Sequence, residues 1–149
     1  GANDPCDRKP MVWPELEYDA ETTLPDGSAR PEAYPVAFDH DLHGWHRQLN
    51  AIRNSSSALQ LGDFTTLLTD DPRGVYAFQR SYEGDQVIVA LNNSTQPQRV
   101  TLDLNGSWLN LLDGKTTLVT HEDGLAISLQ PLEGAIFGRN NARSTVGGK

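Results

Sequence analysis

Apolar residues along this chain follow two different periods, and the change falls near residue 63. Before it, Leu42, Trp45, Leu49 and Ile52 recur at spacings of three, four and three. That spacing puts them on one face of a helix over residues 39–55. Asp39 or Asp41 can cap its start, because a short carboxylate accepts from the free backbone N–H groups of a first turn. Ser55-Ser56-Ser57 is expected to end it. From Asp63 onward the period is two. Strands are predicted at Phe64–Thr69, Val75–Tyr82, Gln86–Asn92, Arg99–Leu104, Trp108–Leu111, Thr116–Thr120, Leu125–Leu129 and Gly134–Gly138. Turn signals separate them, among them Asp71-Pro72-Arg73-Gly74, Glu83-Gly84-Asp85, Asn105-Gly106 and Asp113-Gly114. Eight short strands at regular spacing argue for an antiparallel sandwich. Val87–Leu91 is the most apolar run and is placed centrally.

Residues 14–37 read as a long polar connection, with Pro14, Pro25, Pro31 and Pro35 against helix and Asp26-Gly27 as a turn. This region is expected to be the least ordered part of the chain. Residues 139–149 are polar and Gly-rich and are expected to be a disordered tail.

Composition narrows the function classes. The chain of 149 residues is 37% hydrophobic, ordinary for one globular domain and a piece of another. No apolar run approaches the roughly 20 residues that span a bilayer. A net charge of −8 with scattered acidic residues argues against nucleic acid and anionic membrane, which need clustered Lys and Arg. No secretory leader is visible at the N-terminus, and a start at Gly1 points to a truncated or processed chain, so the compartment stays open between bacterial cytoplasm and secretion. Cys6 is the sole cysteine, and Asp4 and Asp7 beside it would raise its pKa, against a nucleophilic role. His40, His43 and His46 lack a fourth ligand at fixed spacing and read as helix-face residues, not a metal site. Asn54, Asn92, Asn93 and Asn105 each open an Asn-x-Ser/Thr triplet, a pattern common by chance in Asn- and Ser-rich turns. No cofactor is expected.

The chemistry concentrates in the first thirteen residues, an irregular loop broken by Pro5 and Pro10. Asp4 accepts hydrogen bonds, Arg8 donates several and Trp13 offers a flat apolar face. A sugar, with paired hydroxyls and C–H faces, suits that mixture. On composition alone, a surface loop held by an internal Asp4–Arg8 ion pair outweighs a binding site.

Gly1-Ala2-Asn3-Asp4-Pro5 followed by Arg8-Lys9-Pro10-Met11-Val12-Trp13 resembles a segment of glycoside hydrolase family 13, the α-amylase superfamily. It is most like the neopullulanase, cyclomaltodextrinase and maltogenic amylase group. The resemblance implies a loop after one of the last strands of a catalytic (β/α)8 barrel, where Asp4 and Arg8 would hold a donor-side sugar of an α-glucan. Cys6-Asp7 stands in the reverse of the family's usual order, so no role passes to those two side chains. The helix over 39–55 would be the last barrel helix. Tyr76-Ala77-Phe78-Gln79-Arg80 and Val87-Ile88-Val89-Ala90-Leu91-Asn92 resemble strands of the family's C-terminal β-domain. The family's catalytic carboxylates lie on earlier barrel strands, whose motifs are missing here. Asp39-His40-Asp41 superficially echoes one of them but follows the Asp4 loop and caps a helix.

The expected architecture is therefore mainly β. An antiparallel eight-stranded Greek-key β-sandwich at 59–138 follows an irregular loop and one α-helix at 1–58 that end a (β/α)8 barrel. Three functions compete. One is the inactive C-terminal end of a retaining α-glucan hydrolase, needing the missing N-terminal part of the barrel and an α-glucan oligosaccharide as partners. Another is a stand-alone carbohydrate-binding module using Trp13, Trp108 or Tyr82, although Trp45 and Trp108 sit in patterns that read as core and leave Trp13 as the exposed candidate. The last is a purely structural sandwich. The first is favoured for the whole protein and the third for the sandwich itself, whose strands show no convergent polar cluster.

Overall fold

The structure is a computed structural model and describes residues 11–140. Asp4, Cys6, Arg8 and the tail beyond Asn140 lie outside the described residues. The chain divides into two compact units between His46 and Arg47.

In the first unit, β1 (Glu21–Thr23) and β2 (Ala29–Tyr34) pair antiparallel. This corrects the expectation of an irregular connection. Pro31 misled the reading, but a two-stranded ribbon has outward-facing edges that tolerate a missing N–H. Gly27 closes the turn at φ +85°, a conformation open to glycine, and Leu24 N–H donates to the Ser28 carbonyl at 2.8 Å. Arg30 cross-links the ribbon through Glu21 Oε2 at 3.0 Å and the Thr23 carbonyl at 3.1 Å.

Helix α1 (His40–Ser55) starts as expected, and Asp39 is the cap: its Oδ1 accepts from Leu42 N–H at 2.8 Å. Asp41 sits in the first turn, where a negative charge meets the positive end of the helix dipole. Of the predicted apolar face only Ile52 is buried; Leu42, Trp45 and Leu49 are exposed. The reading of Trp45 as a core residue is thus corrected. The serine triplet ends α1 and opens a second helix, α2 (Ser57–Leu61), where a plain link was expected. Ser56 caps α2 by accepting from Leu59 N–H at 3.2 Å.

The second unit holds the eight predicted strands: β3 (Asp63–Asp70), β4 (Val75–Tyr82), β5 (Asp85–Asn92), β6 (Gln98–Leu102), β7 (Ser107–Asn110), β8 (Thr117–Val119), β9 (Leu125–Leu129) and β10 (Gly134–Arg139). Six form one antiparallel sheet in the order β3-β4-β5-β10-β7-β8, and β6 pairs with β9 in a second. The chain crosses to the second sheet for β6, returns for β7 and β8, crosses again for β9 and comes back as β10, which lies between β5 and β7 rather than beside its sequence neighbour. These crossovers between the two sheets are the Greek-key connections. β5 is central, as its apolar run requires.

Alternate residues of both sheets face one core: Val75, Ala77, Ile88, Ala90, Val100, Leu102, Trp108, Leu125, Ile127, Leu129, Ala135 and Phe137. Arg139, expected in the tail, is the last residue of β10; its guanidinium lies 5.7 Å from the centroid of the Trp108 ring and donates to Gln86 Oε1 at 2.6 Å. Gly62 joins α2 to β3 where a Cβ would meet the backbone oxygens of Ala58 and Ser81, so any side chain there forces the backbones apart.

Candidate functional site

Of the three sequence-predicted contact residues, Trp13 falls within the described part of the chain. It stands on a turn, with Leu16 N–H donating to the Trp13 carbonyl at 3.3 Å. Its ring is 54% exposed, a surface on which a sugar face can stack. Tyr18 pins the turn: its hydroxyl accepts from Trp13 N–H at 2.8 Å and lies 3.4 Å from the Met11 carbonyl, to which it donates. The β1–β2 ribbon belongs to the same unit as Trp13.

Beside this turn the first unit holds an open cavity of about 570 Å³. Val12, Tyr18, Asp19, Tyr34, Phe38 and Asp39 contribute to its wall. Two of the acceptors are engaged: Asp39 caps α1 and Glu21, also on the wall, bonds Arg30. The Arg30 guanidinium stands 5.6 Å from the centroid of the Tyr34 ring. His40 and His43 set their rings edge-on against Phe38, with centroids 4.9 and 5.1 Å away, a packing role. Among the described residues no group of three His, Cys, Asp or Glu side chains converges as a metal site. The mixture of rings and oxygen acceptors can hold a neutral polyhydroxylated molecule.

The perturbed carboxyls lie elsewhere. Asp26, Asp70 and Asp113 are held below the ordinary range by the hydroxyl of Ser28, the guanidinium of Arg73 and the hydroxyl of Thr116 respectively. At Asp85, burial pushes upward, but hydrogen bonds from Ala58 N–H, Ser56 and Ser57 outweigh it and the net direction is down. All four serve turns or caps and none lines the cavity.

In the β-domain, Trp108 is fully buried, as its pattern on the strand predicts, so it cannot offer a sugar its ring. Its alternation on β7 turns it toward the core, and its indole N–H has no partner among the described residues. Tyr82, the other strand aromatic, is half-buried.

Residues 64–136 match the family described as Maltogenic Amylase, C-terminal domain. A β/α-amylase of Paenibacillus polymyxa is 32% identical over 120 residues, covering 75% of this chain and 10% of that protein. Neopullulanase 2 of Thermoactinomyces vulgaris is 28% identical over 142 residues, covering 92% of this chain and 20% of its own length. This chain thus spans 10% and 20% of the length of these two relatives. Among solved structures, an Anoxybacillus α-amylase superposes with a TM-score of 0.63 at 26% identity, covering 74% of this chain and 25% of its own. The amylase AmyP, solved with maltose, gives 0.61 at 24% identity over 74% of this chain and 23% of its own, a likeness of fold.

Proposed function

The β-domain of this chain is a maltogenic amylase C-terminal domain of glycoside hydrolase family 13, and from that premise we propose that the chain is the C-terminal part of a longer, retaining α-glucan hydrolase. The longer enzyme would cleave α-1,4 bonds of maltodextrin, cyclodextrin or pullulan. Residues 1–58 would complete its (β/α)8 barrel, residues 59–138 would be the β-domain and residues 139–149 a tail. The carrying observation is the order along the chain: the sequence segment with Asp4, Arg8 and Trp13, helix α1 and then the family β-domain.

Retention needs two carboxyls about 5–5.5 Å apart, one as nucleophile and one as acid/base. That pair is assigned to barrel strands that precede Asp4, so this chain by itself is inactive. Asp4 and Arg8 orient a glucose several units from the scissile bond, and Trp13 stacks on a sugar face. Binding energy gained at such a remote unit can align the reacting bond, so its loss lowers turnover as well as affinity. In the longer enzyme, Asp4→Ala and Trp13→Ala should each lower kcat/KM on maltohexaose by about tenfold or more, at Asp4 the worth of a hydrogen bond to a charged group and at Trp13 that of the apolar ring face lost from the sugar. Maltotriose, too short to reach the site and the scissile bond together, should change much less. Equal loss on both substrates, or none on either, would contradict the assignment.

The core of the β-domain is given a scaffold role, because its buried residues pack with each other and Trp108 is out of reach of a ligand.

A further inference from the structure

The β-domain ends in a groove that the strands alone do not reveal. Tyr76 and Leu91 come from β4 and β5, while Asp71, Asn93, Leu132 and Glu133 come from three separate turns. Together they line an open cavity of about 630 Å³. It sits at the Asn92 end of β5, and α2 is bonded to Asp85 at the other end. At ~3.3 Å per residue the two ends of that strand are roughly 23 Å apart.

Leu132 is the informative residue. Its φ is +56°, in the left-handed region, and its side chain is 70% exposed. A leucine there is strained by about 1–2 kcal/mol, and at that exposure little burial offsets the strain. Glycine or asparagine would fit the backbone better. The turn is held firmly: Leu132 N–H donates to the Ser94 carbonyl at 3.1 Å, Glu133 N–H donates to the Gln130 carbonyl at 3.3 Å and the Glu133 carboxylate accepts from Gln130 N–H. An exposed apolar side chain kept in a strained, rigid turn points to a contact that folding does not require.

We infer that this groove binds a short α-glucan segment, with Leu132, Leu91 and the Tyr76 ring against the C–H faces of the sugar. The carboxylate of Asp71 and the side-chain amide of Asn93 make no hydrogen bond among the described residues and are available to sugar hydroxyls. Asp71 and Glu133 repel phosphate and other anions, and an uncharged polyol with many donors suits their acceptor oxygens. That the polyol is a glucan rests on the function proposed above. A second hold on the same polymer raises the local concentration of substrate without taking part in its cleavage.

The test is an NMR titration of the whole ¹⁵N-labelled chain with maltoheptaose. Saturable shifts at the amides of Asn93, Leu132 and Gly134 are expected. Leu132→Gly should weaken that binding at least about fivefold while Tm stays level or rises, because strain is relieved. A merely structural leucine would not separate those two readouts. Asp71→Asn should weaken binding without unfolding the domain. No saturable shift at these amides up to the solubility limit overturns the site, as does undiminished binding by Leu132→Gly. Shifts confined to residues around Trp13 overturn this site and leave the glucan hydrolase reading standing. An equal response to cellohexaose overturns the α-glucan assignment. Hydrolysis by the longer enzyme is measured separately, so failure here and failure of the parent function are distinguishable.

Discussion

Asn92→Ala should destabilise the β-domain by about 2–4 kcal/mol, read as a lower denaturation midpoint with an unchanged slope. Asn92 is 3% exposed, and its side chain ties three segments together. Its Nδ2 donates to the carbonyls of Gln96 and Gln130 at 2.8 and 2.7 Å, and its Oδ1 accepts from Ser94 N–H at 2.9 Å and from Ser94 Oγ at 2.7 Å. Alanine removes all four bonds of a buried side chain; the Gln96 carbonyl keeps the Ser94 hydroxyl, while the Gln130 carbonyl and the Ser94 N–H lose their side-chain partner. Asn92→Asp should be at least as damaging at neutral pH. It keeps the shape but sets a charged acceptor against the carbonyl oxygens that Nδ2 served. A cost below about 0.5 kcal/mol for the alanine variant would show that these bonds are replaced by solvent, contrary to the burial.

The second large effect is expected at Asp85. Its Oδ2 accepts from Ser56 Oγ at 2.7 Å, Ala58 N–H at 2.8 Å and Ser57 Oγ at 3.2 Å, fastening the start of α2 to the start of β5. Asp85→Ala should cost about 2–3 kcal/mol at pH 7. Its carboxyl pKa is lower folded than its ordinary value of 3.8, so its contribution is present in full above the unfolded pKa. As pH falls through the lower folded value, that contribution is lost. The stability difference between wild type and Asp85→Ala should therefore be constant from pH 7 to about pH 5 and shrink below roughly pH 4. Asp26, Asp70 and Asp113 are shifted in the same direction, so acid weakens the wild type through them as well. The difference between the two proteins cancels those shared contributions. Denaturant titrations across this range provide the check, and a difference that grows in acid would contradict the sign.

These two residues also mark where reading the sequence stops. The sandwich strands are legible because a half-buried strand must alternate: Val75–Tyr82 and Leu125–Leu129 fall on their predicted bounds, and the other six agree within one or two residues. Short elements held by side-chain bonds are not legible. The β1–β2 ribbon depends on Arg30 reaching Glu21, nine residues away, and carries Pro31 besides. Helix α2 is five residues long, too short to show a period, and its cap is shared with an aspartate 29 residues downstream of Ser56. Asn92 looks like a turn residue opening an Asn-x-Ser triplet; its burial follows from contacts 38 residues apart. Trp45 misleads in the opposite way, since a helical period identifies a face but not what covers it. At the candidate site the chemistry of Trp13 is legible from its ring and loop. The neighbouring cavity is not, because Tyr18, Tyr34 and Phe38 meet only once the ribbon has folded. The groove at Leu132 is hidden for the same reason, being assembled from turns rather than strands.

The central claim is that this chain completes a glucan hydrolase without containing its catalytic pair. The most direct measurement compares the 149-residue chain with the longer enzyme on maltodextrin, following the released sugars by ¹H NMR. The longer enzyme should release sugars whose new reducing ends appear first as the α-anomer, the signature of retention, while the chain alone releases none. Hydrolysis by the chain alone would contradict the account, and so would initial release of the β-anomer.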